Sequence, residues 1–380
     1  MNVRFLSRPQ ESIISLFFND LSDSHPLSEQ AIQVLSKVDI IIIDEISMVS
    51  DTLFSYVDTR LRAIRNTQIP FGGVRLIMIG DIYQLPPVEI NDGYFFESEI
   101  FNDPAFSDAI EYYSFEHSFR HQSDQLFAGL LDRMRINALS NADFHTLNSR
   151  CLYTLKPMPV NPVYPTLCST NDEALGTNTL AIYSQGIEVF TVEPEITYFF
   201  DSRNITVQDS PLAAGMEIGI NCPVIFMLNI PGDIIFRGLR GIIKAVTIKH
   251  GKPETVTIQT ITGRTVYLQK KDTYILKPVY NEKTKRMGEI AVAQINNFPF
   301  IPCFGLTIHK SQGLTLNQAT VNKGTGFFAP GQCYVACSRV ASLKNLYLLQ
   351  EITKDDLKTN SAVTEFITSI ENRVKKVYPE

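Results

Sequence analysis

The length, composition and charge of the sequence exclude several classes of protein. A chain of 380 residues is long enough for two or three domains, and its 44% apolar and 19% charged residues exclude a disordered or fibrous protein. No apolar stretch approaches the roughly 18 residues that cross a bilayer and no leader opens the chain, so we expect a cytoplasmic protein without a membrane partner. The net charge of −6 gives no global support for a nucleic-acid partner, and the six cysteines form no zinc-binding pattern.

The first predicted elements form a strand–helix–strand unit. Residues 38–43 include four consecutive isoleucines, which cannot alternate between core and solvent, so we predict a strand buried on both faces of a parallel sheet. Residues 50–66 carry apolar side chains at helical spacing, and residues 74–79 predict a second strand of the same buried kind. Ligands of such sheets bind beyond the carboxyl ends of the strands, where Asp44, Glu45 and Asp81 lie.

The later part of the chain changes character twice. Residues 119–147 are mostly helical in pattern, and residues 163–168 predict another strand. From about residue 222, short β-like runs alternate with turn residues, which predicts a small barrel-like β module over 241–300. The α/β pattern returns over 303–349. The β module is therefore predicted to be an insertion into a second α/β domain.

Acidic, amide and guanidinium side chains point to phosphate chemistry. Asp44 could hold Mg²⁺ through water, and Glu45 could polarise a water against a nucleotide γ-phosphate, although a strand ending in solvated acids is an equally ordinary interpretation. Gln84, after the second strand, could sense the γ-phosphate or orient a water. Arg120 and Arg339 lie in helical segments and fit arginine fingers, whereas a lone arginine is usually a solvated surface residue.

Five ordered segments resemble the motifs of superfamily-one DNA helicases of the Pif/RecD-like branch. The segments are residues 44–48, 80–88, 119–122, 307–315 and 334–339, and they are similar in order to motifs II, III, IV, V and VI of that family. The resemblance extends over about residues 38–349. Five motifs in the right order are far more specific than any one of them.

The resemblance implies a fold and an activity. The fold would be α/β, with two RecA-like P-loop NTPase domains, the first of them incomplete, and a small SH3-like β-barrel insertion in the second. The first domain would span 1–110, the second 111–240 together with 301–380, and the insertion 241–300. The activity would be that of an ATP-dependent 5′-to-3′ DNA helicase or translocase, acting as a monomer on single-stranded or forked duplex DNA.

The resemblance also implies roles for individual residues. Asp44 would hold Mg²⁺, Glu45 would be the catalytic base, Gln84 the γ-phosphate sensor, and Arg120 and Arg339 the fingers. Thr307, His309, Lys310 and Ser311 would contact single-stranded DNA, and Gln312 and Gly313 would link that contact to the nucleotide. Arg237, in the turn before the β module, supplies a charge that could contact DNA, but a simple tight turn explains it as well.

One motif of the family is missing from the sequence. The phosphate loop G-x-x-x-x-G-K-[ST] does not occur, and the only Gly-Lys pair, Gly251-Lys252, is followed by Pro253. We therefore expect the chain to begin late within a longer protein, with half of an ATP site and with the strand at 40–43 left at an exposed edge. A catalytically inactive, helicase-like protein that binds single-stranded DNA is the alternative. A different P-loop ATPase is a third possibility.

Overall fold

The computed structural model describes most of the chain. The described residues are 3–6, 29–87, 93–115, 117–155, 165–184, 188–199, 210, 212–230, 235–281 and 286–377. Within them, no helix combines the length and the apolar character that a membrane span requires. Because the described range begins at residue 165, the first two residues of the strand predicted at 163–168 lie outside it.

Helices and strands are numbered along the chain. The helices are α1 (Glu29–Leu35), α2 (Asp51–Arg65), α3 (Pro104–Ser107), α4 (Gln125–Arg135), α5 (Asn141–Asn148), α6 (Asn171–Ser184), α7 (Ile308–Ser311), α8 (Gln332–Cys337) and α9 (Ser361–Ile370). The strands are β1 (Val3–Leu6), β2 (Ile40–Ile43), β3 (Arg75–Met78), β4 (Tyr112–Phe115), β5 (Thr166–Cys168), β6 (Val189–Val192), β7 (Glu195–Tyr198), β8 (Met216–Gly219), β9 (Pro223–Phe226), β10 (Arg240–Lys249), β11 (Lys252–Thr260), β12 (Thr265–Gln269), β13 (Lys271–Asn281), β14 (Arg286–Asn297), β15 (Phe300–Pro302), β16 (Gly305–Thr307), β17 (Ala319–Asn322), β18 (Leu346–Leu348) and β19 (Val374–Val377).

The first sheet is parallel, with the order β1-β2-β3. All four isoleucines of β2 are buried, as predicted. The expectation that β2 would lie at an exposed edge is wrong, because β1 pairs with it along its full length. The expectation that β3 would be buried on both faces is also wrong: Ile77 on this strand is 40% exposed. Among the described residues β3 is bonded only to β2, so it is an edge strand.

Helix α2 holds the first sheet in place. Ser50 caps its start, with the Ser50 hydroxyl accepting the Leu53 amide N–H at 3.1 Å, and Asn66 ends it in the left-handed conformation. The apolar face of α2 is buried against the sheet, and the fully buried ring of Phe54 meets the edge of Phe71 with 5.0 Å between ring centroids. Burial of one such side chain stabilises the fold by roughly 1.5–3 kcal/mol. Under this helix, β2 and β3 pair in parallel, so their carboxyl ends lie side by side.

The second α/β sheet is also parallel, with the order β16-β5-β17-β18. Its strands pack with α4 and α8 in a second apolar core. Strand β5 precedes the β-rich part of the chain and β16 follows it, yet the two strands are hydrogen-bonded neighbours. The chain therefore leaves this sheet after β5, builds the β-rich part, and returns beside the strand from which it left.

The β-rich part contains an antiparallel sheet with the order β12-β11-β10-β9-β15. The short β-like runs of the sequence are strands of this sheet, and a hairpin of β13 and β14 pairs with β7. The sheet reaches beyond the predicted span of 241–300, because β9 and β15 belong to it. Its description as an SH3-like barrel with those boundaries stays a prediction.

The end of the chain packs against the first domain. Val363 of α9 belongs to the first apolar core, and the ring of Phe366 stacks on Phe96 with 4.3 Å between centroids. Strand β19 runs parallel to β4. Contacts between α9 and the first core thus join residues far apart in the sequence. The assignment of 301–380 to the second domain stays a prediction.

Candidate functional site

The carboxyl ends of β2 and β3 meet at a tight crossing. Glu45 directly follows the turn after β2 and adopts a left-handed backbone with φ of 53°, which is uncommon for a residue with a side chain. The Ile46 amide N–H donates to the Ile79 carbonyl at 3.0 Å. A Cβ atom on Gly80 would lie 2.9 Å from the Ile46 nitrogen, so the two chain segments are as close as glycine allows. The acidic side chains after both strands are therefore brought to one place.

Glu45 is half-buried and held from the second domain. The Gln312 side-chain amide donates to Glu45 Oε2 at 2.9 Å. Burial raises the pKa of Glu45 above its ordinary value, and the neighbouring carboxylates of Asp44 and Asp81 raise it further, whereas the bond from Gln312 and the charge of Arg339 oppose the shift. An oriented carboxylate of increased basicity is suited to accept a proton from water.

Asp81 joins the two domains through a bond that the sequence did not reveal. Its Oδ2 accepts the Tyr334 hydroxyl at 2.9 Å and the Gln84 side-chain amide at 3.4 Å. The Gln84 Oε1 atom is buried and, among the described residues, has no hydrogen-bond partner. A buried acceptor without a donor costs free energy, so this oxygen is suited to receive a donor from a ligand or water. Tyr334 lies inside motif VI, but nothing in its spacing indicated Asp81 as its partner.

The two predicted finger arginines lie together. Arg339 follows α8 and is 1% exposed, with Nε donating to the Val335 carbonyl at 2.9 Å. Arg120 lies in a 3₁₀ turn rather than at the start of an α-helix, and its Nη1 donates to the Ser338 carbonyl at 3.1 Å. Burial lowers the pKa of Arg339 to about 10, with Arg120 as the second cause, while Tyr334, Glu45 and Asp81 oppose the shift. Both guanidinium groups stay charged near neutral pH.

The second domain contacts the loop after β3 through both backbone and side chains. Gly331, at the start of α8, has a φ of +71°, and a Cβ atom there would lie 2.3 Å from the Tyr83 carbonyl oxygen. Leu85 of the same loop is buried in the second apolar core. The charge of Glu45 acts on both Arg120 and Arg339, so the structure brings Glu45 and Gln84 of the first domain close to the two arginines. We call this meeting place of the two domains the cleft.

Asp44 is exposed at the edge of this cleft. Its Oδ1 accepts the Glu45 amide N–H at 2.9 Å. No group of three or more potential metal ligands occurs among the residues that the structure describes. Magnesium ions in phosphate-transfer sites are commonly held by one or two carboxylates, with water and phosphate oxygens as the other ligands. The exposed Asp44 carboxylate fits that requirement.

The predicted strand-binding segment divides into buried and open side chains. Thr307 is 4% exposed and caps α7, its hydroxyl accepting the Lys310 amide N–H at 3.3 Å. Ser311 is fully buried and donates to the Ile308 carbonyl at 2.7 Å. The one-turn helix uses these two hydroxyls to satisfy its own backbone, and their DNA contact stays a prediction. Lys310 is exposed.

Two predicted cations meet at the surface beside α7. Arg237 and Lys310 line one shallow hollow, between β9 and the end of β16, although they are far apart in the sequence. The Arg237 amide N–H donates to Asn229 Oδ1 at 2.8 Å, which fixes the turn before the β module. Gly313 follows α7 with a φ of +73° and lies near Glu45. The segment from Lys310 to Gly313 thus runs from this hollow to Glu45.

His309 has a partner that the sequence analysis missed. Its ring stacks on the ring of Phe328, with 5.9 Å between centroids and 17° between ring planes. Burial lowers the pKa of His309, so the imidazole is neutral near pH 7. Two adjacent phenylalanines before α8 gave no signal that distinguished the core residue from the surface one.

The family model and the individual relatives that match this sequence are all Pif1-type helicases. A family described as PIF1-like helicase matches residues 22–126. The ATP-dependent DNA helicase Pif1 of Bdellovibrio bacteriovorus is 29% identical over 319 residues, which are 83% of this chain and 67% of that protein. Human ATP-dependent DNA helicase PIF1 is 26% identical over 81% of this chain and 46% of its own length. The chain thus spans two thirds of the bacterial relative and less than half of the human one.

Solved structures agree on the fold. A Bacteroides Pif1 in complex with ADP-AlF4 superposes with a TM-score of 0.78 at 22% identity, covering 98% of this chain and 87% of that one. A Bacteroides Pif1 bound to ssDNA superposes with a TM-score of 0.64 at 22% identity, covering 95% and 84%. The predicted α/β fold with two RecA-like domains is confirmed.

Proposed function

The chain is a relative of the superfamily-one helicases of the Pif1-like group, and from that premise we propose that it is an ATP-dependent DNA helicase or translocase moving 5′ to 3′ on single-stranded DNA. The observation that carries the proposal is the cleft between the domains. There the carboxylate of Glu45 and the guanidinium groups of Arg120 and Arg339 lie close together, and Gln312, which follows α7, donates to Glu45.

In this mechanism Glu45 takes a proton from the water that attacks the γ-phosphate. The proton moves to a carboxylate oxygen while the other oxygen keeps the bond from Gln312. Its raised pKa makes Glu45 a better proton acceptor than a surface glutamate, and general bases of this kind contribute roughly 10²–10⁴-fold to a rate. Gln84, whose buried Oε1 has no donor within the described part of the chain, orients the attacking water.

The two arginines neutralise charge that develops on the transferred phosphoryl group. Arg339 is almost fully buried, and in a medium of low dielectric constant a fixed positive charge stabilises an anion far more than it does in water. Arg120 is held to the same backbone through Ser338. When Mg²⁺ is bound it supplies further charge neutralisation at the phosphates, and Asp44 is the residue that would hold it.

Strand binding and hydrolysis are connected through one short segment. Lys310 binds a phosphate of the strand without reading its sequence, and Gln312, two residues later, bonds the base Glu45. A movement of α7 as the strand advances therefore repositions the carboxylate. We propose single-stranded and forked duplex DNA as the partners of the protein. We further propose that it acts as a monomer in the cytoplasm.

A catalytically inactive protein that binds single-stranded DNA is the second candidate. The observation that favours it is the absence of G-x-x-x-x-G-K-[ST] from the 380 residues, because backbone amides and the lysine of that loop supply much of the attraction for a triphosphate. The basic surface of Arg237 and Lys310 serves both candidates equally.

Unwinding of tailed duplexes tests the proposal. The protein is mixed with ATP and with duplexes that carry a 5′ or a 3′ single-stranded tail. The proposal expects ATP-dependent strand separation for the 5′-tailed duplex alone. Tight binding of both substrates without ATP consumption would favour the inactive binding protein instead, and unwinding from the 3′ tail would contradict the proposed direction.

A further inference from the structure

Phe328 is an exposed aromatic ring in a fixed position. It is 57% exposed, whereas its neighbour Phe327 is 2% exposed and belongs to the second core. The ring of His309 lies almost parallel to the ring of Phe328. More than half of the Phe328 side chain is therefore open to solvent even though the ring is backed by another planar group.

A buried amide anchors the backbone at this position. The Phe328 amide N–H donates to Gln332 Oε1 at 3.0 Å, and the Ala329 amide N–H donates to the same oxygen at 3.4 Å. Gln332 is fully buried, and its Nε2 donates to the Ser169 carbonyl at 3.0 Å. Gln332 thus links the backbone that carries the ring to the start of α8 and to Ser169, just after β5. A rigid ring loses little conformational entropy when a ligand stacks on it.

The neighbours of this ring suit a nucleotide chain. Lys310 follows His309 in α7 and is exposed, so the same helical turn carries a cation that suits a phosphate and the ring that backs Phe328. Proteins that bind single strands without sequence preference combine these two features, a basic track and stacking aromatic rings. The neutral His309 ring extends the aromatic surface and adds no charge to it.

We propose that Phe328, backed by His309, is the platform on which one nucleobase of a bound single strand stacks, next to the phosphate contact of Lys310. The proposal rests on the single-strand binding put forward above and adds a base subsite to it. Stacking is independent of base identity, so the site holds any base. Removal of one stacking ring is expected to weaken binding by roughly 5- to 100-fold.

The test compares two probes that differ only in their bases. Fluorescence anisotropy measures binding of an oligothymidylate and of an abasic oligonucleotide of equal length to the wild-type chain, Phe328→Ala, Phe328→Trp and Phe115→Ala. Phe115 is an exposed phenylalanine on β4 and serves as the matched control, with 76% of its surface exposed. Thermal unfolding verifies that each variant is folded.

The proposal expects a selective loss. Phe328→Ala should bind the oligothymidylate roughly 5- to 100-fold more weakly and the abasic probe almost unchanged, while Phe328→Trp and Phe115→Ala bind both like the wild type. Equal weakening on both probes, or no weakening on either, overturns the base platform while single-strand binding stands. A wild-type chain that binds neither probe overturns the proposed DNA binding and the platform with it.

Discussion

The cleft between the domains and the segment at α7 use their polar side chains in different ways. In the cleft, Glu45 and Asp81 of the first domain accept bonds from Gln312 and Tyr334 of the second. In α7, the Thr307 hydroxyl bonds an amide of its own turn, and the Ser311 hydroxyl likewise bonds a carbonyl of that turn. The cleft joins distant parts of the chain, whereas two of the five predicted strand-binding residues build the turn itself.

The difference teaches which roles a motif can indicate. Buried charges are costly unless they are paired, so acids and arginines gathered in one cleft need a chemical reason. Small hydroxyls next to a short helix have an ordinary alternative use as caps. A motif therefore indicates function more directly where it places charges in a buried cleft than where it places threonine and serine at a helix end.

Removal of Arg339 should reduce ATP hydrolysis more than any other change proposed here. In a protein that hydrolyses ATP, Arg339→Ala is expected to slow DNA-stimulated hydrolysis by about 10³-fold or more, because a buried finger charge is lost, while affinity for single-stranded DNA changes little. Steady-state phosphate release and oligonucleotide anisotropy measure the two quantities. Arg264→Ala, at an exposed arginine of the β-rich part, is the control. A parallel loss of hydrolysis and DNA binding would indicate misfolding instead.

The acid limb of the pH profile should respond to Gln312. Glu45 acts only when deprotonated, and because its pKa is raised, hydrolysis should decline with falling pH earlier than for an ordinary glutamate. The bond from Gln312 opposes that rise, so Gln312→Leu is expected to move the acid limb to higher pH. The rate of hydrolysis is measured across pH with DNA saturating. An unchanged limb in the variant contradicts the assigned base.

Lys310 should contribute to DNA affinity and not to the chemistry in the cleft. Lys310→Ala is expected to weaken oligonucleotide binding equally for all sequences and to reduce the slope of log affinity against log salt by about 1, because one phosphate contact is removed. Binding titrations at several salt concentrations measure the slope. Lys354→Ala, at an exposed lysine of another turn, should leave the slope as it is. If both variants reduce the slope equally, the effect comes from the loss of positive charge in general and not from a phosphate contact of Lys310.

Thr307 and Ser311 should affect stability alone. Thr307→Val removes a helix cap and Ser311→Ala removes a buried hydrogen bond, so each is expected to lower the free energy of unfolding by about 1 kcal/mol. Denaturant unfolding measures the loss, and the affinity for a single-stranded oligonucleotide should stay at the wild-type value. Weaker DNA binding with full stability would support the predicted DNA contact instead.

Local patterns predicted the elements that surround the cleft. The isoleucine run of β2 and the helical spacing of α2 are local features, and the ordered motifs predicted that Glu45 and Arg339 would meet. The exposure of β3 was not predictable, because a strand's position in a sheet depends on its partners. The bond of Tyr334 to Asp81 likewise depends on the packing of two domains, which no spacing encodes.

Hydrolysis by a double variant tests the central claim most directly: Glu45 and Arg339 act on one nucleotide across the cleft. DNA-stimulated ATP hydrolysis is measured for the wild type, Glu45→Gln, Arg339→Ala and the variant carrying both changes. Residues that act as a unit are strongly non-additive, so we predict that the double variant is about as slow as the slower single variant. Independent, multiplying losses, or a wild type no faster than Glu45→Gln, would contradict the account.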